Sequence, residues 1–346
     1  MHKKRWSRVL SLHHDSGAGW FIILNLLISK CTNAYQYMSL IIITQGKDVS
    51  SWVKALKEKR PDLALSVYPD VPDAAAVEGA IVWNHPLGVF KEFPNLKWIS
   101  SMGAGVDHVL KDPELPEAAV ITRITDENLT NDMATFTLAL VLNHLRGLSF
   151  YKVLEHQQTW KRKRYQRIEE TTVGVMGTGV LGAAVARLLK QTGFNVNGWA
   201  RTPKDLDGVK VYVGEKELSD FLSRTDVLVC LLPLTKETRN ILNKRTLEQL
   251  PQEAFVINVA RGEHLVEEDL IEMLDKGHLS GASLDVFRQE PLPQDHIFWK
   301  HPKINITPHI ASVTDPNTAV NQVLDNYDRL QNMEQLLNVV SLTKGY

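Results

Sequence analysis

Residues Thr172 to Gly182 read Thr-Val-Gly-Val-Met-Gly-Thr-Gly-Val-Leu-Gly, and this stretch constrains the fold more than any other. The apolar run Val173 to Met176 predicts a buried strand. It ends in Gly177-x-Gly179-x-x-Gly182, and a helical pattern follows through Lys190. A strand that turns tightly into a helix aims backbone N–H groups and the positive helix end at one spot, which suits a pyrophosphate. Gly177 permits the turn, Gly179 lets the backbone approach phosphates, and Gly182 lets helix and strand pack closely. Thr178, Val180 and Leu181 complete the loop. The alternative is a glycine-rich turn without a ligand. The strand before and the helix after favour a dinucleotide.

Asn195 to Trp199 predicts the next strand. A site selecting NAD places Asp or Glu about 20 residues beyond the glycines, to bind the ribose 2′-hydroxyl. Here the chain reads Trp199-Ala200-Arg201-Thr202-Pro203-Lys204, with no acid. The Arg201 fork fits a 2′-phosphate, with Thr202 and Lys204 as further donors. The expectation is NADP(H), with NAD(H) as second choice. The alternative is that Arg201 and Lys204 form a solvated turn.

A chain of 346 residues can build two domains with their own cores. A hydrophobic content of 44% and a charged content of 23% describe an ordinary globular protein. The net charge of -1 gives no field that would draw nucleic acid or membrane. The basic stretch Lys161-Arg162-Lys163-Arg164 is short, has only Tyr165 as a stacking surface, and reads as a solvated connection. Two cysteines, Cys31 and Cys230, suggest neither disulfides nor a metal site and favour a reducing, cytoplasmic compartment.

Residues 1–37 stand apart. Lys3-Lys4-Arg5 precede the apolar run Trp20 to Ile28, which is too short to span a bilayer. A signal peptide would look like this, but Ser29-Lys30-Cys31 is a poor cleavage site. The expectation is an extension outside the fold, with the first strand beginning at Met38-Ser39-Leu40-Ile41-Ile42-Ile43.

From there, short apolar strands alternate with helices. Strands are expected at Leu40–Thr44, Leu63–Val67, Ala80–Trp83 and Leu96–Ser100, and helices at Ser50–Arg60 and Asn131–Leu148. A second set of strands is expected at Val173–Met176, Asn195–Trp199, Val227–Leu232, Ala254–Asn258, Ala282–Val286 and Ile304–Thr307, with a last helix from Pro316 to Leu337. This rhythm predicts an α/β chain of two doubly wound domains. A Rossmann-type dinucleotide domain (138–310) is inserted into a flavodoxin-like substrate domain (38–137 with 311–346).

Three strand ends carry chemistry. Asn258-Val259-Ala260-Arg261-Gly262 follows one strand, Leu284-Asp285-Val286-Phe287-Arg288-Gln289-Glu290-Pro291 the next, and Thr307-Pro308-His309-Ile310-Ala311-Ser312 the last. Ligands of open α/β sheets bind at the carboxyl ends of strands. Arg261 offers a fork for a carboxylate, and Glu290 beside His309 would fix the imidazole tautomer. His309 can then pass a proton to a carbonyl oxygen as hydride reaches its carbon. Each residue alone has an ordinary reading, as a helix cap or partner of Glu263, a surface acid, or a turn histidine. The joint pattern favours a catalytic set.

At this point the chain resembles the D-isomer-specific 2-hydroxyacid dehydrogenase family, from Met38 to Tyr346. The resemblance rests on the glycine motif, on Leu231-Leu232-Pro233-Leu234-Thr235-Lys236-Glu237-Thr238, and on the three strand-end segments. It implies that Arg261 binds and polarises a 2-oxo acid, that Glu290 supports His309, and that His309 is the acid/base. It implies that Asp285 and the Val259 backbone hold the nicotinamide carboxamide, and it places Leu232, Pro233 and Thr238 against the cofactor. Ser101-Met102-Gly103-Ala104-Gly105-Val106-Asp107 looks like the family's carboxylate loop, whose Gly103, Ala104, Gly105 and Val106 amides converge on an anion.

Val82-Trp83-Asn84-His85-Pro86, Trp199-Ala200-Arg201-Thr202 and Lys344-Gly345-Tyr346 resemble the A-type bacterial glyoxylate/hydroxypyruvate reductases. Trp83 is then either a lid over a small substrate or a core residue at a strand end. Met133-Ala134-Thr135-Phe136 departs from relatives that carry Glu and Tyr at the last two positions. The resemblance implies a cytoplasmic homodimer that reduces glyoxylate, hydroxypyruvate or a similar acid. The rival expectation is a dinucleotide-sensing, corepressor-like regulator on the same fold.

Overall fold

The computed structural model describes residues 38–343 and residue 345. The segment 1–37 with Cys31, and both Lys344 and Tyr346, lie outside the described residues. Strand β1 (Ser39–Thr44) is a Leu/Ile run with four fully buried central residues, as a central parallel strand requires. Next come α1 (Ser50–Lys59), β2 (Leu65–Val67), β3 (Val77–Trp83), β4 (Trp98–Ser101), the short α2 (Asp107–Leu110) and β5 (Val120–Thr122). The five strands pair in parallel in the order β2-β1-β3-β4-β5. This is the flavodoxin-like order.

Helix α3 (Glu127–Arg146) leads out of this sheet. It starts a turn earlier than expected, because Asp126 accepts from the Leu129 amide at 2.9 Å and caps a polar first turn that looks like loop in the sequence. Gly147, left-handed at φ 63, ends it, and α4 (Leu148–His156) follows as a separate helix. The basic stretch 161–164 is exposed. Lys163 lies over the Phe150 ring, 5.6 Å from its centroid.

The second sheet is built from β6 (Thr172–Met176), α5 (Val180–Thr192), β7 (Asn195–Ala200), β8 (Lys210–Val213), α6 (Leu218–Leu222), β9 (Val227–Cys230), α7 (Lys244–Leu247), β10 (Ala254–Asn258), α8 (Glu267–Asp275), β11 (Leu279–Leu284) and β12 (Ile304–Ile306). All seven strands run parallel in the order β12-β11-β10-β9-β6-β7-β8. That is the dinucleotide-binding order with one strand added, and the order reverses between β9 and β6. Two strands escaped the sequence reading, β5 and β8. Both are short and lie at sheet edges, where period and burial are weakest.

Helix α9 (Pro316–Gln331), capped by Asp315 with Pro316 in its first turn, returns the chain to the first sheet. It ends short of Leu337, where Asn332 caps it and Met333 takes φ 57. Its buried face, Ala319, Val320, Val323, Leu324 and Tyr327, closes one core with Leu40, Ile42, Trp52, Ala55 and Leu56. Each large side chain so buried contributes about 1.5–3 kcal/mol. Tyr327 Oη donates to the Met38 carbonyl at 3.0 Å. The chain thus forms two parallel-sheet α/β domains, the second threaded between the two parts of the first. Among the described residues no helix is long and apolar enough to cross a membrane.

Candidate active site

The glycine turn lies where the second sheet reverses order. Gly177 (φ 98) donates its amide to the Trp199 carbonyl at 2.9 Å, tying the turn to β7. A Cβ on Gly182 would stand 1.8 Å from the Gly177 carbonyl oxygen, so α5 meets the turn closely only because that position has no side chain. At Gly179 the same construction meets nothing within 4 Å. Thr178 Oγ1 is buried without a hydrogen-bond partner among the described residues. An open backbone turn, a helix N-terminus and a partnerless buried hydroxyl fit a pyrophosphate.

At the end of β7, Arg201, Thr202 and Lys204 are exposed on the rim of the same cleft. Lys204 Nζ donates to the Thr178 carbonyl. The Glu237 carboxyl is held below the ordinary range, first by the Thr235 hydroxyl and its own backbone amide, with a smaller contribution from Arg201. Arg201 therefore stands near an acid on the rim. On the facing loop, Leu232 is buried and Pro233 half-buried. Thr238 Oγ1 donates to the Pro233 carbonyl at 2.6 Å and accepts from the Thr235 amide at 2.8 Å. Its hydroxyl closes the loop, and Thr238 reaches the cleft as part of that brace.

The three strand ends converge. His309 Nδ1 lies 2.7 Å from Glu290 Oε2, and Glu290 Oε1 accepts from the Phe287 amide at 2.9 Å. Burial pushes the Glu290 carboxyl up, but His309, the Phe287 amide and the Arg261 charge outweigh it, and the carboxyl titrates below the ordinary range. The bond fixes the proton on Nδ1 and leaves Nε2 for a ligand. His309 itself is left-handed at φ 53, a conformation a non-glycine residue adopts at a cost.

Asp285 holds the His309 loop in place, a role the sequence did not reveal. It is fully buried, and its carboxylate accepts from Thr307 Oγ1 at 2.6 Å, the Ile310 amide at 3.0 Å and the Ala311 amide at 2.9 Å. Its carbonyl accepts from the His309 amide at 2.8 Å. Oδ1 takes two donors and Oδ2 one, so Oδ2 keeps an acceptor position, and Asp285 and the buried Val259 both line the cleft.

The ordinary alternative for Arg261, pairing with Glu263, is not what the structure shows. Its Nε donates to Asp107 Oδ1 at 2.9 Å and its Nη1 to the Ala260 carbonyl at 2.7 Å, not to Glu263. Burial pushes the Asp107 carboxyl up, but Arg261 and His108 outweigh it and keep it ionised below the ordinary range. Arg261 N donates to His264 Nδ1 at 3.2 Å, and His264 Nε2 reaches the Pro233 carbonyl at 3.3 Å, linking two cleft loops through one buried ring. Gly105 lies directly against the guanidinium, where a Cβ would stand 1.8 Å from Nη2.

One part of the carboxylate-loop expectation needs correction. The Gly103 amide donates to Ser101 Oγ at 3.2 Å and so is taken within the loop. The Ala104, Gly105 and Val106 amides make no hydrogen bond to the described residues. These three amides lie beside Arg261 as donors without an acceptor among the described residues, a nest-like arrangement that suits an anion. Trp83 lies at the end of its strand, between the core and the cleft. It packs on the core of the first sheet, touches Gly103 with its six-membered ring, and lines the cleft.

The cleft between the two domains holds about 1270 Å³ and is lined by the glycine turn, residues 103–107, Trp83, Arg261, Asp285 and His309, with Glu290 behind His309 and outside the lining. It can seat a dinucleotide along the glycine turn with a small acid between the nest, Arg261 and His309. Residues 138–311 match the family model described as D-isomer specific 2-hydroxyacid dehydrogenase, NAD binding domain. A glyoxylate/hydroxypyruvate reductase A from Photorhabdus laumondii is 38% identical over 314 residues, covering 89% of this chain and 100% of the relative. That from Serratia proteamaculans is 36% identical over the same shares. Among solved structures, a D-isomer specific 2-hydroxyacid dehydrogenase from Xanthobacter autotrophicus Py2 in complex with NADPH and MES superposes with a TM-score of 0.86 at 38% identity, covering 90% of this chain and 100% of that one. The NADPH-dependent glyoxylate/hydroxypyruvate reductase of Sinorhizobium meliloti in complex with NADP and sulfate gives 0.84 at 36% identity, over 89% and 100%. With the strand-end triad, the glycine turn and these likenesses together, the chain belongs to the D-isomer-specific 2-hydroxyacid dehydrogenase family.

Proposed function

We propose that this protein is an NADPH-preferring reductase of small 2-oxo acids, with glyoxylate and hydroxypyruvate as substrates. The observation that carries the reading is His309, held by Glu290 at 2.7 Å and facing the cleft that Arg261 and the glycine turn also line. Bound NADPH supplies hydride to the substrate C2. The Ala104, Gly105 and Val106 amides and Arg261 hold the carboxylate, and Arg261 also polarises the carbonyl. His309 Nε2 gives the oxygen its proton, while Glu290 holds the ring in one tautomer and stabilises its charged form. Asp285 and the Val259 backbone orient the carboxamide. Asp107 positions the Arg261 fork through Nε, which leaves Nη2 beside Gly105 toward the nest.

In this reading the dinucleotide domain is 138–310, the substrate domain is 38–137 with 311–346, and the enzyme is a cytoplasmic homodimer. Gly177 to Gly182, Arg201, Thr202, Lys204, Leu232, Pro233 and Thr238 line the cofactor's path. The regulatory alternative draws no support from any particular contact, whereas the reductase names of the relatives favour turnover. The test is a steady-state panel of 2-oxo acids with NADPH and NADH. The expected result is saturable reduction of glyoxylate or hydroxypyruvate with NADPH. Cofactor binding without turnover of any 2-oxo acid would overturn the proposal in favour of a sensor.

A further inference from the structure

The cleft carries a cation that the reaction described above does not use. Lys47 lies in the loop after β1, at the carboxyl end of that strand, and lines the cleft beside Trp83. Its Nζ stands 5.1 Å from the centroid of the Trp83 ring. Trp83 in turn touches Gly103, at the edge of the anion nest. Nζ makes no hydrogen bond and no ion pair with the described residues. The adjacent Asp48 is engaged elsewhere, since its carboxylate accepts from the Ser50 amide at 2.9 Å and the Ser50 hydroxyl at 3.0 Å. Arg123 lines the same cleft but already has a partner.

We propose that Lys47 is a specificity-determining residue that binds a second carboxylate at the far end of the substrate, so that the cleft favours 2-oxo dicarboxylic acids over uncharged 2-oxo acids of equal length. The inference rests on the reductase reading and extends it. One end of such a substrate is fixed by Arg261 and the nest. The far end then runs along the face of Trp83 toward Lys47. A cation over an aromatic face keeps part of its stabilisation without a counter-ion, which leaves the ammonium able to accept one from a ligand. Lys47 is exposed to solvent where it lines the cleft, and partial desolvation there holds its ammonium below the usual lysine range. Glyoxylate is too short to reach this position, so Lys47 discriminates only among longer acids.

The experiment compares pairs of equal length, oxaloacetate with 2-oxobutyrate and 2-oxoglutarate with 2-oxopentanoate, by kcat/KM with NADPH. At least one charged member is expected to exceed its uncharged partner. Lys47→Met is expected to lower that ratio by about tenfold or more, mainly through KM, as loss of a charge-assisted contact does. Lys47→Arg is expected to restore most of it. Thermal melting checks that each variant is folded. A wild-type ratio at or below one for both pairs, or a ratio that Lys47→Met leaves unchanged, would overturn the assignment while turnover of glyoxylate still upheld the reductase reading. Absence of turnover with every acid would remove both.

Discussion

At the residue scale, His309 is held by its backbone as firmly as by Glu290. Its left-handed φ of 53 makes the choice of substitution matter. Asn accepts that conformation more readily than Ala, so His309→Asn removes the proton donor with the loop kept in place. We expect a fall in kcat of about 10²–10⁴-fold, with NADPH affinity and melting midpoint close to wild type. An unchanged kcat would refute the proton-donor role. Cofactor choice is the second expectation at this scale. The proposed Arg201–phosphate contact would contribute on the order of 1.5–3 kcal/mol, or roughly 10- to 150-fold in favour of NADPH. Exchanging Ala200 for Asp and Arg201 for Ala is expected to invert the preference, read as kcat/KM with each cofactor. Equal use of both cofactors by the wild type would show that Arg201 does not read the 2′-phosphate. The parts of the candidate site legible in the sequence are those whose meaning is local: glycines after a strand, and Arg261, Glu290 and His309 at strand ends that the structure brings together. Asp107 was missed for the opposite reason. An acid beside an anion-binding loop looks misplaced until Arg261, 154 positions away, is seen to bond it.

At the scale of elements, the loop from Thr307 to Ala311 and the turn at Gly177 are the two pieces of backbone that must be shaped correctly. Asp285→Asn would set an amide NH₂ against one of the three donors that now share the carboxylate. A buried donor left without its acceptor costs about 1–3 kcal/mol. The expected result is a lower urea midpoint together with faster amide exchange confined to residues 307–312. Unaltered exchange there would mean that the loop is held by other contacts. Gly182→Ala would force α5 away from the turn, and dinucleotide affinity is expected to fall at least tenfold by fluorescence titration, on the order of 1.4 kcal/mol. Elements with a full apolar run, such as β1, β6 and β10, were legible within a residue or two. The short edge strands β5 and β8 were not, because their pattern is set by a single neighbour and partial burial.

For the whole molecule, acid is the condition that separates folded from unfolded chains most clearly. His108 packs on Trp83 beside the first sheet, and His144 stacks on Phe255 of the second with ring centroids 3.9 Å apart. Burial pushes both imidazoles down from 6.5 to about 4, so both are neutral in the native state. Between those two values the unfolded chain binds protons that the folded chain refuses. Stability therefore falls as pH drops through this window, by up to about 1.4 kcal/mol per pH unit for each histidine. Urea unfolding at about pH 7 and about pH 5 checks this. A midpoint that does not fall would show that these rings open to water. The doubly wound plan and the insertion were readable from the order of strands and helices. The meeting of the two domains in one cleft was readable only as a consequence of the shared site, since no local pattern records which faces approach.

The return of α9 to the first sheet has a consequence for how the chain is made. The face of β1 and α1 that α9 covers is translated before the inserted domain, yet its cover is translated after it. The amino-terminal domain cannot complete its core during synthesis, whereas the inserted domain between them is contiguous. The inserted domain is thus the unit able to fold first on the ribosome, with the outer domain left waiting and its apolar face in need of protection. Nascent chains arrested just before Pro316 are expected to be protease-resistant in the second sheet and cleaved in the first. The first sheet is thus made before the second and can be completed only after it.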